Sequence, residues 1–350
     1  MIMNNTKRNK EKEEEKKRLA KALKQNILKR KKQQQSRQSR PLSKFVCGEE
    51  FLGESTAEYS NVFENDKITI RNLSFEGGIM PELPEVEVIS NFLLDRIKNK
   101  QISNVIVNNW NLRAPITKNI DDMLKGKVIR NIKRRGKYTI WNTDGSVAVI
   151  IHLGMSGKLI YANHDQMRNK HDHVVFLFSD NTSIIFNDPR RFGLVIVLNK
   201  EQETDFFSDF GIEPLTDEFS GDYLQELLKN KKVNIKSALM DNKSIVGVGN
   251  IYASESLFRA RISPLRLAKD LTSIECKKLA AEIKNTLSDA IAAGGSTLKD
   301  YAQPSGSAGY FQNNFYVYGK VQKPCKICNN IITLIRQNGR STYFCNACQN

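Results

Sequence analysis

Four cysteines fall within the last 26 residues in the arrangement Cys325-x2-Cys328-x16-Cys345-x2-Cys348, and nothing else in the chain restricts the fold as tightly. Two closely spaced thiol pairs can converge on one tetrahedral ion, so the spacing predicts a single zinc held by four thiolates. No histidine or glutamate stands among the last 26 residues to complete a catalytic site. The ion therefore serves folding, and the stretch between the pairs becomes a β-hairpin. Arg340, five residues before Cys345, lies on that hairpin. Clustering of four of the six cysteines suits a metal in a reducing compartment better than disulfides. Cys47 and Cys276 are left as ordinary thiols.

The 350 residues carry 54 Lys and Arg against 38 Asp and Glu, a net charge of +16. Such a length accommodates about two domains, and such an excess selects a polyanionic partner. Residues 1–80 hold 18 basic and 11 acidic side chains, leaving 36 and 27 beyond them, so the basic excess does not depend on the N-terminal stretch. No apolar run reaches the roughly 18 residues needed to span a bilayer, and the N-terminus lacks the apolar stretch of a secretion signal. A cytoplasmic protein without a membrane partner is expected.

Residues 1–40 are dominated by Lys, Arg, Glu and Gln, with runs such as Glu13-Glu14-Glu15 and Gln33-Gln34-Gln35. They have little to bury and read as a solvated or untranslated tail, or as a nucleic-acid arm. Residues 41–79 are mixed, with a short strand at Lys67–Ile70 and no assigned role. Beyond Pro84, Val86, Ile89, Leu93 and Ile97 recur at helical spacing. The pattern then changes to short β-rich runs at Val105–Val107, Val128–Ile132, Tyr138–Trp141, Ala148–His152, Val174–Phe178, Ser183–Phe186 and Leu194–Leu198. Their close spacing predicts an antiparallel sandwich. Gln202–Glu213 reads as a connection to helices at Asp222–Lys229, Ile235–Met240, Ile251–Ala260 and Glu275–Ala293. The last opens on the capping box Thr272-Ser273-Ile274-Glu275 and stops at Gly294-Gly295.

The stretch Met80-Pro81-Glu82-Leu83-Pro84-Glu85-Val86-Glu87 carries the chemistry of greatest interest. As an internal residue Pro81 has a planar amide nitrogen that attacks nothing. Were translation to begin at Met80 and the methionine be removed, Pro81 would be a secondary amine titrating near ~7.7–8.0, against ~10.4 for lysine. Such an amine condenses with an aldehyde-level carbon to a cationic iminium, and Glu82 can serve the same carbon as general acid or base. The codons of Glu76-Gly77-Gly78 are compatible with a ribosome-binding tract just upstream of Met80. The alternative is that Pro81 and Pro84 merely open a helix.

Further motifs punctuate the strands and helices. Arg134-Arg135-Gly136-Lys137-Tyr138 places Lys137 on a turn beside two cations, which ease its deprotonation. The turns His152-Leu153-Gly154-Met155-Ser156-Gly157 and Asn187-Asp188-Pro189-Arg190-Arg191-Phe192-Gly193 hold out large side chains, or else Met155 and Phe192 belong to the core. In Lys170-His171-Asp172-His173 a metal pair lacks a third ligand of obvious spacing. Gly247-Val248-Gly249-Asn250-Ile251-Tyr252 sets a Gly-lined turn before a helix, where amides and the Asn250 carboxamide can approach a phosphate.

Taken together these strings resemble the bacterial formamidopyrimidine-DNA glycosylases over residues 80–350. The resemblance implies an α+β protein. It would comprise an extension at 1–79, a catalytic β-sandwich domain with the Pro81 helix at 80–200, and a linker at 201–213. A helix-two-turn-helix domain at 214–310 and a zinc hairpin at 311–350 would follow. It implies a nucleoid-associated monomer that binds duplex DNA containing oxidised bases, excises 8-oxoguanine and formamidopyrimidines, and cleaves the abasic site by β,δ-elimination. Within it Pro81 attacks C1′, Glu82 acts on the leaving base and sugar, Lys137 shuttles protons and Arg340 assists the second elimination. Met155, Arg190 and Phe192 fill the space of the extracted base, and His171, Arg190, Lys231 and Asn250 contact DNA. No cofactor beyond zinc is implied. Two rivals stand beside this reading: an endonuclease VIII-like enzyme for oxidised pyrimidines, and a non-catalytic DNA-binding protein in which Pro81 stays blocked.

Overall fold

The computed structural model describes residues 80–165, 169–296 and 310–350. The tail, the strand expected at Lys67–Ile70 and Cys47 lie outside the described residues.

Helix α1 (Leu83–Ile97) turns Val86, Ile89, Leu93 and Ile97 inward, as the spacing requires. Eight strands follow, with a short helix α2 (Ile120–Leu124) after the first: β1 (Ile102–Val107), β2 (Ile129–Arg135), β3 (Tyr138–Thr143), β4 (Val147–His152), β5 (Lys158–Asn163), β6 (Asp172–Phe178), β7 (Thr182–Asn187) and β8 (Leu194–Asn199). They form two four-stranded sheets, ordered β1-β6-β7-β5 and β2-β3-β4-β8, with every pairing antiparallel. Val149 and Ile151 of β4 face the core between α1 and the sheets, where Trp141, Phe176, Phe178 and Phe186 are also buried. Ala148 and Ile150 face the other way, against Tyr138, Ile196 and Leu198. That outer face is covered rather than wet, which is why these strands read as continuous apolar runs.

Its cover is helix α3 (Lys200–Phe207), within the stretch expected to be mere connection. Phe206, Phe207 and the following Phe210 surround Tyr138 with ring centroids 5.6, 5.7 and 5.7 Å away. Asn199 caps the helix, its Oδ1 accepting the Gln202 N–H at 2.9 Å while Gln202 returns the bond at 3.0 Å.

The second half packs α4 (Gly221–Leu228), α5 (Ile235–Leu239), α6 (Asn250–Ala260) and α7 (Ser273–Ala292) around its own core. The Thr272 hydroxyl caps α7 as its sequence predicts, and Gly294 and Gly295 end it at φ +76° and +77°. Leu83, the first residue of α1, packs in this second core, whereas Val86 and Ile89 pack in the first. The start of α1 is thus the junction between the two cores, and it carries Pro81 and Glu82 there. A terminal hairpin of β9 (Thr333–Gln337) and β10 (Arg340–Phe344) turns at Asn338-Gly339, both with positive φ. Among the described residues no helix is long and apolar enough to cross a membrane.

Candidate active site

Glu82 is almost fully buried, and its carboxylate sits on the N-terminus of α6. Oε2 accepts the N–H groups of Gly249 at 2.9 Å and Tyr252 at 3.3 Å, and Oε1 accepts that of Ile251 at 2.9 Å. The Leu83 N–H donates to the Gly247 carbonyl at 3.1 Å, so two backbones meet face to face. A Cβ on Gly249 would lie 2.3 Å from the Glu82 carboxyl carbon. This changes the reading of the Gly-x-Gly turn: amides expected to face a phosphate face Glu82 instead, because a buried carboxylate requires donors. Burial pushes Glu82 above the usual carboxylate range, while Lys137 and the Ile251 N–H pull it back. Behind it Glu85, also buried, accepts the Glu82 N–H (2.9 Å), the Tyr252 hydroxyl (2.6 Å) and the N–H and hydroxyl of Ser296 (2.9 and 2.7 Å). Pro81, itself buried, immediately precedes Glu82 in the chain and so enters this junction with it.

Lys137 projects from the two-residue turn between β2 and β3, where Gly136 takes φ +57° as the first turn residue. Burial draws its ammonium below the ordinary lysine range, Glu82 opposes this and Arg340 reinforces it. The flanking arginines, expected to supply that repulsion, are neutralised elsewhere. Arg134 binds Glu87 at 2.5 Å and Glu213 at 2.6 Å, and Arg135 binds Glu213 at 3.2 Å. Glu213 also accepts the Gly136 N–H at 2.6 Å, so one linker carboxylate fixes the turn that carries Lys137. Arg340 opens β10 and is half-buried, its guanidinium 3.9 Å from the Met240 sulfur. A second amine lies nearby. Lys236 on α5 is buried and donates to the Ser341 carbonyl and the Thr342 hydroxyl, both at 2.8 Å, which docks the hairpin on the helical half. Its pKa is drawn down to about 7 by burial, with Arg340 adding and Glu82 opposing.

The remaining predicted residues are distributed unevenly. Arg190 is exposed and lies 5.0 Å over the half-buried Phe192 ring, and half-buried His171 precedes the strand beside them. Met155 is not held out: the Gly157 N–H bonds the Leu153 carbonyl at 2.9 Å, closing the turn, and Met155 is buried. Lys231 has its ammonium on Asp241 at 2.9 Å and on the Ser244 hydroxyl at 2.6 Å. The Asn250 amide reaches the Tyr318 hydroxyl at 3.4 Å, while its buried carboxamide oxygen has no partner among the described residues.

The four cysteine sulfurs lie within 4.8 Å of one another, with Cys325–Cys348 at 3.9 Å and Cys328–Cys345 at 3.4 Å. Zinc–sulfur bonds of about 2.3 Å in a tetrahedron place sulfurs about 3.8 Å apart, so the cluster suits one zinc ion. Glu255 of α6 holds the approach to this module through the N–H groups of Tyr316, Val317 and Tyr318, at 2.8, 3.0 and 2.7 Å.

Three family models match in succession: the formamidopyrimidine-DNA glycosylase N-terminal domain at residues 80–195, the H2TH domain of the same enzymes at 210–302, and a zinc finger found in FPG and IleRS at 322–350. The chain belongs to the formamidopyrimidine-DNA glycosylase family. A glycosylase of that name from Wolbachia pipientis wMel is 97% identical over 271 residues, which is 77% of this chain and 100% of the relative. One from Rickettsia bellii is 44% identical over 77% of this chain and 99% of its own length. Among solved structures, Lactococcus lactis Fpg in complex with DNA containing an abasic site matches with a TM-score of 0.72 and 34% identity, over 77% of this chain and 99% of that one. A formamidopyrimidine-DNA glycosylase fold thus underlies the α+β architecture and the zinc module read from the sequence.

Glu85, Glu213, Lys236 and Glu255 escaped the sequence reading. Only Glu85 left a local signal, standing three residues after Glu82 at a helix start; the partners of the others lie far along the chain. One zinc per chain is expected by elemental analysis. Cys328→Ser should lower zinc content and release the hairpin bearing Arg340, with β-sandwich circular dichroism retained; a fully zinc-loaded variant would contradict the assignment.

Proposed function

We propose that this glycosylase excises oxidised purines, 8-oxoguanine and formamidopyrimidines, from duplex DNA and then cleaves the abasic site as a lyase. The observation that carries the reading is the buried Glu82 carboxyl, raised above its usual range by burial and next in the chain to Pro81 at the junction of the two cores, with the Lys137 ammonium opposing that rise and Arg340 acting in turn on Lys137. With its nitrogen free, Pro81 attacks C1′ of the damaged nucleotide while the base departs with a proton supplied through Glu82. The ring-opened sugar is then an iminium of Pro81. Removal of a C2′ proton expels the 3′ phosphate, and a second elimination expels the 5′ phosphate. Lys137, whose ammonium burial makes easier to deprotonate, carries protons between these steps, and Arg340 offers a cation to the leaving phosphate. Water finally releases the sugar fragment and regenerates the amine. Zinc contributes only the hairpin that presents Arg340. His171, Arg190, Lys231 and Asn250 contact the DNA, and Arg190 and Phe192 occupy the space of the extracted base, with the buried Met155 in the adjoining turn. The enzyme works as a cytoplasmic, nucleoid-associated monomer.

The test is single-turnover base release from duplexes carrying an oxidised purine or an oxidised pyrimidine. Purine release should be the faster, and Glu82→Gln should lower it about 10²–10⁴-fold, the range of a lost positioned proton transfer, with DNA affinity retained. Faster pyrimidine release would favour the endonuclease VIII-like reading, and unaffected release by Glu82→Gln would remove Glu82 from the mechanism.

A further inference from the structure

The loop bearing Arg190 and Phe192 is fastened at both ends by one buried carboxylate. Asp188 has no exposed surface. Its Oδ2 accepts the Gly193 N–H at 2.8 Å, just after Phe192, and its Oδ1 accepts the Arg190 N–H at 3.3 Å, just before it. The same Oδ1 accepts the Ser156 hydroxyl at 2.5 Å, and the Ser156 oxygen in turn accepts the Arg190 N–H at 3.1 Å. Ser156 immediately follows Met155 and is itself buried. The Asp188 backbone is held as well: its N–H donates to the His171 carbonyl at 3.0 Å, and its carbonyl accepts from His173 Nε2 at 2.8 Å.

The two turns also touch directly. A Cβ on Gly154 would lie 2.4 Å from the Phe192 carbonyl carbon, and Gly154 takes φ +63°. Between the fastened ends Arg191 takes φ +58°, a conformation that a non-glycine residue holds only where its surroundings impose it. A carboxylate buried among neutral donors is tolerated only when its oxygens are satisfied, and here each has a backbone donor from the same loop. Replacing one oxygen by an amide nitrogen would set donor against donor.

We propose that Asp188 is the positioning residue of the space-filling loop, and that Ser156 couples it to the Met155 turn, so that this turn holds the loop in one fixed register as it meets the DNA. This rests on the reading of Arg190 and Phe192 as the group that occupies the space of the extracted base. The device sets base extraction, and hence lesion specificity, without touching the reacting atoms.

The experiment compares Asp188→Asn and Ser156→Ala with the parent, each beginning at Pro81. Two rates are measured on the same duplex sequence: base release from the lesion, and strand cleavage at a preformed abasic site, where no base has to be extracted. Base release should fall about tenfold or more in Asp188→Asn and less in Ser156→Ala, the size that follows from leaving a buried donor unpaired. Abasic-site cleavage should stay within about threefold, a far smaller change in barrier. Because Asp188 acts through Phe192, adding Asp188→Asn to Phe192→Ala should lower base release little further. Equal loss of both activities, or full additivity with Phe192→Ala, would overturn the proposal. If Asp188→Asn does not fold, the same comparison with Ser156→Ala decides it. Should the parent release only oxidised pyrimidines, the proposed substrate falls, while the comparison, repeated on that lesion, still judges Asp188.

Discussion

A chain whose first residue is Pro81 is expected to form a borohydride-trapped adduct with lesion-containing DNA, and a chain that retains residues 1–80 is expected to form none above background. Trapping reduces an iminium to an amine, so it reports an unacylated nitrogen on the sugar carbon. In the longer chain the Pro81 nitrogen is an amide of Met80, with its lone pair delocalised into the carbonyl. In the shorter one it is a secondary amine titrating near ~7.7–8.0 before any effect of its surroundings, and burial would lower that value further. A substantial fraction is then unprotonated at neutral pH. The Wolbachia relative is covered along its whole length by 271 residues, as many as the segment 80–350 contains, which suits an active form beginning there. Intact mass must establish the N-terminus of each preparation. Equal trapping by a verified full-length chain would exclude Pro81 as the nucleophile and turn attention to an amine with a lowered pKa, of which Lys137 is the nearest in chemistry.

What the sequence disclosed and what it concealed divide along the reach of the interactions. The cysteine cluster, the inward face of α1 and the Thr272 cap depend on neighbours within a few turns of chain, and each was readable as spacing. Strand β5 was missed because Lys158–Asn163 is only partly apolar, and it becomes a strand by pairing with β7. Helix α3 was missed although Asn199 and Gln202 form a cap, because it follows β8 without an intervening turn. The site itself was legible as residue types but not as contacts. Lys236 sits in an otherwise ordinary short helix and is buried by a hairpin 105 residues later. Glu213, in a stretch read as linker, governs the Lys137 turn 77 residues earlier. Lys231 is chemically suited to a phosphate, yet its ammonium rests on Asp241, a partner the surrounding sequence does not single out.

Gly249→Ala is expected to abolish most base release, by a route that no reading of Gly-x-Gly as a phosphate turn would predict. Gly249 has φ −122° and ψ −157°, extended backbone open to any residue, so the substitution meets no torsional objection. The obstacle is the Glu82 carboxyl, whose carbon and two oxygens would lie 2.3, 2.4 and 2.7 Å from the new Cβ. Either Glu82 withdraws or α6 does. Withdrawal strips the N–H groups of Gly249 and Ile251 of their acceptor in a buried setting, at about 1–3 kcal/mol for each unsatisfied donor. It also moves the carboxyl away from Pro81, and loss of a positioned acid or base lowers the rate about 10²–10⁴-fold. Stability and excision should therefore fall together. Gly126→Ala supplies the comparison: there an added Cβ meets nothing within 4 Å, and only the positive φ of +78° opposes it. That variant should lose stability alone. If Gly249→Ala releases the damaged base within about threefold of the parent rate, a barrier change below ~1 kcal/mol, the α6 N-terminus does not hold Glu82 in its working position.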